Sequence, residues 1–142
     1  MLNNNELNLL AIKKEAEEQA AKLSKQVTAG TYLRQLRAHA DLSLAKLGKE
    51  LGVSAFYLSE VERGLKAMSD HFIRDISDFY NIDESELFNI LGRVPLLARE
   101  QLYEDNNLQK LLVEIKRNKK FTDEQRQEFF HRVYELYKNF PE

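Results

Sequence analysis

Residues 47–64 read LGKELGVSAFYLSEVERG, and their reading decides the fold. Leu44, Leu47 and Leu51 recur at helical spacing, Leu58 and Val61 do so further on, and Val53 stands between the two sets. The pattern predicts two helices, from Ser43 to Leu51 and from Ser54 to Arg63, that meet at a tight turn. A glycine in mid-helix costs about 1 kcal/mol relative to alanine, so Gly48 asks for a packing reason. Two helices crossing at roughly 90–120° through a short turn provide one, because they need a small residue where the backbones approach and a glycine in the turn. Gly48 and Gly52 fill those two places. Phe56 and Tyr57 are the odd pair, two bulky side chains at the start of the second helix.

Outward from this stretch the chain continues to read as helical. Asn5 to Gln26 has no Gly or Pro and carries Leu9, Ile12, Ala16, Ala20, Leu23 and Val27 at three- and four-residue steps, a shallow stripe suited to an oligomerisation arm, to packing on the next domain or to a frayed extension. Thr28-Ala29-Gly30 is expected to break it and to mark a boundary. Between Thr31 and Gly92 five short helices are expected. The first places Leu33, Leu36 and Ala40 on one face, and the fourth, opened by Ser69, buries Phe72, Ile73, Ile76 and Phe79. The fifth opens with Asp83 as cap and Glu86 three residues on, and ends at Gly92 with Pro95 beyond. In the last third, Asn107 is the expected cap of a helix carrying Leu108, Leu111, Leu112 and Ile115. Thr122 to Gln125 forms a capping box for a final helix that lines up Phe129, Val133, Leu136 and Phe140, with Phe130, Tyr134 and Tyr137 beside them. The fold class is therefore all-α, in three parts: a helical extension over residues 1–29, a five-helix domain over 30–94, and a helical hairpin over 95–142.

With 142 residues the chain suits one or two small domains, and its two prolines and five glycines leave few sheet punctuators. The absence of cysteine removes disulfides and thiolate metal sites and agrees with a reducing compartment. No apolar run nears the roughly 20 residues that cross a bilayer, so no membrane partner and a cytoplasmic location are expected. A net charge of −2 argues against indiscriminate nucleic-acid binding, but the distribution is uneven. Residues 30–66 hold six basic against four acidic groups and are the one positive block, whereas 67–94 hold two against six.

YLRQLRAHADLSLAKLGKELGVSAFYLSEVERG, continued by FIRDISDFYNIDESEL to GRVP, resembles the helix-turn-helix of the Xre and lambda-repressor family of bacterial and phage regulators. The resemblance covers about residues 30–95 and implies a five-helix DNA-binding domain. It places Ser54, Ala55, Phe56 and Glu60 where the third helix presents side chains to base edges in the major groove. Ser43, Tyr57, Ser59, Arg63 and Lys66 fall where phosphate contacts are made, Ser43 chiefly as a helix cap. Arg37 and Glu62 match a semi-buried salt bridge between the first and third helices. The chain departs from the pattern at Leu44, where a phosphate-binding Gln often stands, and at Ala55 and Phe56, which replace polar base readers. A methyl and a ring can still meet the thymine methyl, and Glu60 can accept from cytosine N4, so a thymine-rich half-site is expected. Against this stand an inward or protein-facing Phe56 and a Tyr57 that simply packs its ring.

Nothing points to catalysis. His39, His71 and His131 lie on different helices without ligand spacing, and the carboxylates alternate with Lys and Arg as on solvated helix faces, so no catalytic residue, no metal, no cofactor and no enzymatic activity are expected. A lone helix-turn-helix covers few base pairs, and the remedy is a symmetric dimer with recognition helices about 34 Å apart on double-stranded DNA. The C-terminal face of Leu108, Leu112, Ile115, Phe129, Val133, Leu136, Tyr137 and Phe140 is the expected homodimer interface, the alternative being a hairpin packed on its own chain. The expected function is a dimeric repressor on an inverted repeat. The competing one is a regulator that holds a protein partner, such as an antitoxin or a phage-encoded modulator.

Overall fold

Eight helices and no strand make up the computed structural model, which describes residues 1–142: α1 (Asn4–His39), α2 (Leu44–Leu51), α3 (Ala55–Glu62), α4 (Asp70–Tyr80), α5 (Glu84–Ile90), α6 (Leu96–Glu104), α7 (Asn106–Arg117) and α8 (Asp123–Lys138). The chain is all-α and divides into two units, Met1–Leu96 and Leu97–Glu142.

The largest departure from the sequence reading is α1. Its start is fixed by a capping box in which Asn3 accepts from the Glu6 amide and Glu6 accepts from the Asn3 amide. It then runs without interruption through Thr28-Ala29-Gly30, the expected break. Thr28 donates its hydroxyl to the Ser24 carbonyl at 2.9 Å and stays within the helical pattern. Gly30 is needed for contact, not for a turn: a Cβ there would lie 2.5 Å from the carbonyl oxygens of Val61 and Glu62. Burial of Ala29 and Gly30 beneath α3 outweighs the weak helix propensity of glycine. The first helix of the expected five-helix domain is thus the C-terminal end of a longer one, and every residue from 1 to 25 is exposed.

In the first unit α1 packs on α3 and α5, α2 on α3, and α4 on α5. Leu33, Leu47, Leu58, Val61, Met68, Phe72, Ile73, Ile76, Leu87 and Phe88 form one buried cluster at their meeting point. Two expected members fall outside it. Ala40 is the exposed C-cap of α1, where the chain turns through left-handed Asp41, and Phe79 lies on the outer side of α4 at 39 % exposure. Asp83 caps α5 through the Ser85 amide, while Glu86 turns instead to accept the Tyr32 hydroxyl at 2.6 Å, so the expected reciprocal cap is not formed.

The second unit holds α7, α8 and all but the first residue of α6, a helix the hairpin reading did not include. Asp105, two residues before Asn107, caps α7 by accepting from the Leu108 amide. Gln109 donates to the carbonyls of Leu102 and Tyr103 at 2.7 and 3.1 Å and ties α7 to α6. Thr122 and Gln125 form the capping box that opens α8, and Phe121, Phe129 and Phe130 meet edge to face. No residue of α6, α7 or α8 is buried.

Candidate nucleic-acid interface

The candidate surface is built by α2, the turn after it, and α3. Ser43 caps α2 by accepting from the Lys46 amide at 3.1 Å. Gly52 ends that helix in the left-handed region at φ 71°, and the Val53 amide donates back to the Gly48 carbonyl at 2.9 Å. Ser54 starts α3 by accepting from the Tyr57 amide at 3.0 Å. A Cβ on Gly48 would stand 2.5 Å from the Val53 carbonyl oxygen, so the close approach in this motif is between the body of α2 and the turn. Caps, left-handed glycine and contact glycine together leave α3 one direction in which to leave the turn.

Three contacts hold α3 from behind. Leu58 and Val61 are sunk in the core, the Tyr57 ring stands edge-on to Phe72 with centroids 5.4 Å apart, and Gly30 of α1 sits against the last turn. The fourth is electrostatic. Arg37 Nε donates to both carboxylate oxygens of Glu62 at 2.7 and 3.0 Å, and its Nη1 donates to the Leu42 carbonyl at 2.9 Å. Glu62 is only 7 % exposed, so this pair joins α1, the loop after it and the end of α3 in a nearly dry site. Tyr80 stands near it, and burial, with the Glu62 charge second, raises its pKa. Burial alone does the same for Tyr57.

The opposite side of α3 is open. Phe56 is 68 % exposed, Ala55 and Arg63 are exposed, and Ser59 and Glu60 lie half-buried between them. Residues 56, 59, 60 and 63 follow helical spacing, so Phe56, Ser59, Glu60 and Arg63 form one outward stripe. Ser54 is exposed at its head, with its oxygen engaged as a cap, and Ser43 is engaged the same way in α2. Tyr57 is turned toward the fold and does not belong to the stripe. Lys66 is exposed in the loop after α3, and that loop is anchored by Arg93, whose Nη1 donates to the Met68 carbonyl at 2.7 Å. The anchoring role of Arg93 has no local sequence signal, since its partner lies in a loop. Lys46 and Lys49 on α2 and Arg34 on α1 are also exposed.

The histidines do not converge. His39 shares a hydrogen bond with the Gln35 carbonyl, His131 lies 4.0 Å from Glu135, and no group of three or more His, Asp or Glu is placed to hold a metal ion. No helix is long and apolar enough to cross a membrane. In the second unit the eight expected interface residues are exposed or half-buried, with Leu136, Tyr137 and Phe140 the most open.

Comparison with known proteins bears on the first unit. Residues 28–88 match a family model described as a helix-turn-helix domain. Among solved structures, the restriction-modification controller protein C.AhdI from Aeromonas hydrophila is 32 % identical over an alignment that covers 46 % of this chain and 96 % of that one, with a TM-score of 0.43. No curated protein matches the chain.

Proposed function

We propose that this chain, whose residues 28–88 are a DNA-binding helix-turn-helix domain of the Xre and lambda-repressor family, is a dimeric repressor that occludes a promoter by binding an inverted repeat, and that it is not an enzyme. The observation that carries the reading is the contrast between the two sides of α3: one is fixed to α1, α2 and α4, and the other presents Ala55, Phe56, Glu60 and Arg63 to the outside. In the major groove Phe56 and Ala55 meet thymine methyl groups, and Glu60 accepts from cytosine N4. Arg63 and Lys66, with the Ser43 and Ser59 hydroxyls, contact phosphates and set the register. Tyr57 braces the helix through its ring against Phe72. The apolar face formed by Leu108, Leu112, Ile115, Phe129, Val133, Leu136, Tyr137 and Phe140 joins two copies, since no residue of α6, α7 or α8 is buried within one chain.

The test is binding as a function of salt, followed by selection from a random duplex pool. Arg63 and Lys66 in two copies release counterions from about four phosphates, so log affinity should fall with log salt at a slope of about −3 to −4. Phe56→Ala should keep that slope and relax the thymine preference. A flat salt response, or no retention on mixed-sequence duplex at low salt, would count against DNA and for a protein partner. An unchanged preference in Phe56→Ala would remove Phe56 from base reading.

A further inference from the structure

We propose that the exposed part of α1 pairs antiparallel with the same segment of a second copy of this chain, and that this pairing spaces two α3 helices by about one turn of DNA. Every residue from 1 to 25 is exposed, the side chain of Lys25 alone reaching back to Gly92, and Leu9 and Ile12 are 66 % and 63 % exposed. A helix that projects alone has no packing to stabilise it, because most helical stability in proteins comes from tertiary contact.

The occupant is indicated by the order of side-chain sizes along the stripe. Leu9, Ile12, Ala16, Ala20, Leu23 and Val27 run large, large, small, small, large, large. Reversed, the stripe has the same order. A second copy running in the opposite direction, centred between Ala16 and Ala20, sets Leu9 against the open side of Val27, whose Cγ2 lies against Gly64 of its own chain, Ile12 against Leu23, and Ala16 against Ala20, with the alanines letting the backbones come close. Charge selects the same register. At 3.6 residues per turn, Glu15 and Lys22 lie on one flank of the stripe. In the centred antiparallel pair each Glu15 faces Lys22 of the other copy, twice by symmetry. A shift of one heptad either way opposes Glu15 to Glu15 or Lys22 to Lys22. In a parallel pair the flank of Glu15 and Lys22 faces Ala20 and Val27 of the other copy and gains no ion pair.

The register sets a length. Gly30 is the point where α1 meets the end of α3, and it lies twelve residues beyond the centre at position 18. At about 1.5 Å per residue, the two crossing points are about 36 Å apart along the arm axis. Half-sites one turn apart on a duplex are separated by about 34–36 Å. Orientation agrees as well. Ala29, Gly30 and Leu33, which carry the rest of the domain, lie about a quarter turn around α1 from the stripe, so the two-fold axis of the pair puts both domains on the same side of it. The pairing is a self-contact separate from the C-terminal face, and only its spacing role rests on the DNA-binding reading.

The full chain has no cysteine, which makes the register testable by disulfide formation. Chains carrying Ala16→Cys and Ala20→Cys are oxidised separately and as an equimolar mixture. Antiparallel pairing predicts that the mixture links most of its chains and that either chain alone links at least tenfold less, since a disulfide needs Cα atoms within about 7 Å. Equal linking by each chain alone, or no linking in any sample, overturns the proposal. In the second arm, Glu15→Lys should weaken self-association severalfold at low salt, and adding Lys22→Glu should restore it. On selected duplexes Glu15→Lys should lose the preference for one-turn half-site spacing while keeping half-site preference. Unchanged spacing preference removes the spacing role. Loss of all DNA retention with the mixed disulfide intact would refute the DNA-binding reading and leave the pairing standing.

Discussion

Gly30→Ala tests the joint on which α3 rests. The added methyl would meet the Val61 and Glu62 carbonyl oxygens at 2.5 Å and the Glu62 carbonyl carbon at 2.8 Å, where ordinary contact begins at 3.4 Å. All three are backbone atoms of α3 and cannot rotate away, so the helices must separate by roughly 0.9 Å or tilt. A gap of that size forfeits a quarter to a half of each contact it opens, and forced insertion of a methyl into a packed site costs about 1–3 kcal/mol. Alanine returns about 1 kcal/mol through helix propensity. Leu33, Leu58 and Val61 share the same seam and are almost fully buried, which places the cost at the upper end and the net loss at about 1–2 kcal/mol. For a unit of this size the melting midpoint, followed by circular dichroism, should fall by about 5–15 °C. DNA affinity should fall too, since α3 loses its seat. Gly52→Ala is the control: with φ 71° and nothing within 4 Å, it pays only the left-handed backbone cost of about 1–2 kcal/mol. A Gly30→Ala protein as stable as the parent, or more so, would refute the close crossing and restore the view of Gly30 as a helix break.

Three further outcomes are expected. Arg37→Ala leaves Glu62 charged and almost dry, and should cost about 2–4 kcal/mol in denaturant unfolding, while Arg37→Met combined with Glu62→Leu should recover much of the loss. Ser77 is fully buried and its hydroxyl has no hydrogen-bond partner, so Ser77→Ala should raise stability by about 1 kcal/mol. The hydrogen bond from Tyr32 to the Glu86 carboxylate, aided by burial, lifts the phenol from 10.0 to about 12. A raised folded-state pKa means that this contribution is whole below about pH 10 and is lost as pH rises toward 12, so Tyr32→Phe should flatten the alkaline fall in stability across that window.

The helix-turn-helix was legible because its signals agree with one another. Ser43 and Ser54 are caps, Gly52 is left-handed, Gly48 is a contact, and the leucines keep phase, so any one of them predicts the others. Gly30 misled for the opposite reason: a glycine that ends a helix and one that lets two helices touch look alike locally, and only the carbonyls of α3, more than thirty residues away, decide between them. The cap of α7 shifted from Asn107 to Asp105 because both can accept from a first-turn amide, and α6, though it lies in a stretch that reads as helical from Leu96 on, was not set apart as an element because its apolar residues follow no clear stripe. On the candidate site, spacing along α3 set which residues share a face. That Phe56 points out while Tyr57 points in depends on the phase of the helix against Phe72, which is a tertiary fact.

The continuity of α1 also makes the molecule a lever. The helix carries no hinge between the seam with α3 and its tip at Asn4, a span on the order of 39 Å. A tilt of about 10° at the seam, such as a bend or groove change in bound DNA would impose, swings that tip by about 7 Å, given the rigid rise of an unbroken helix. A fluorophore at the amino terminus would therefore register small reorientations of α3 that a label on α3 itself would hardly detect.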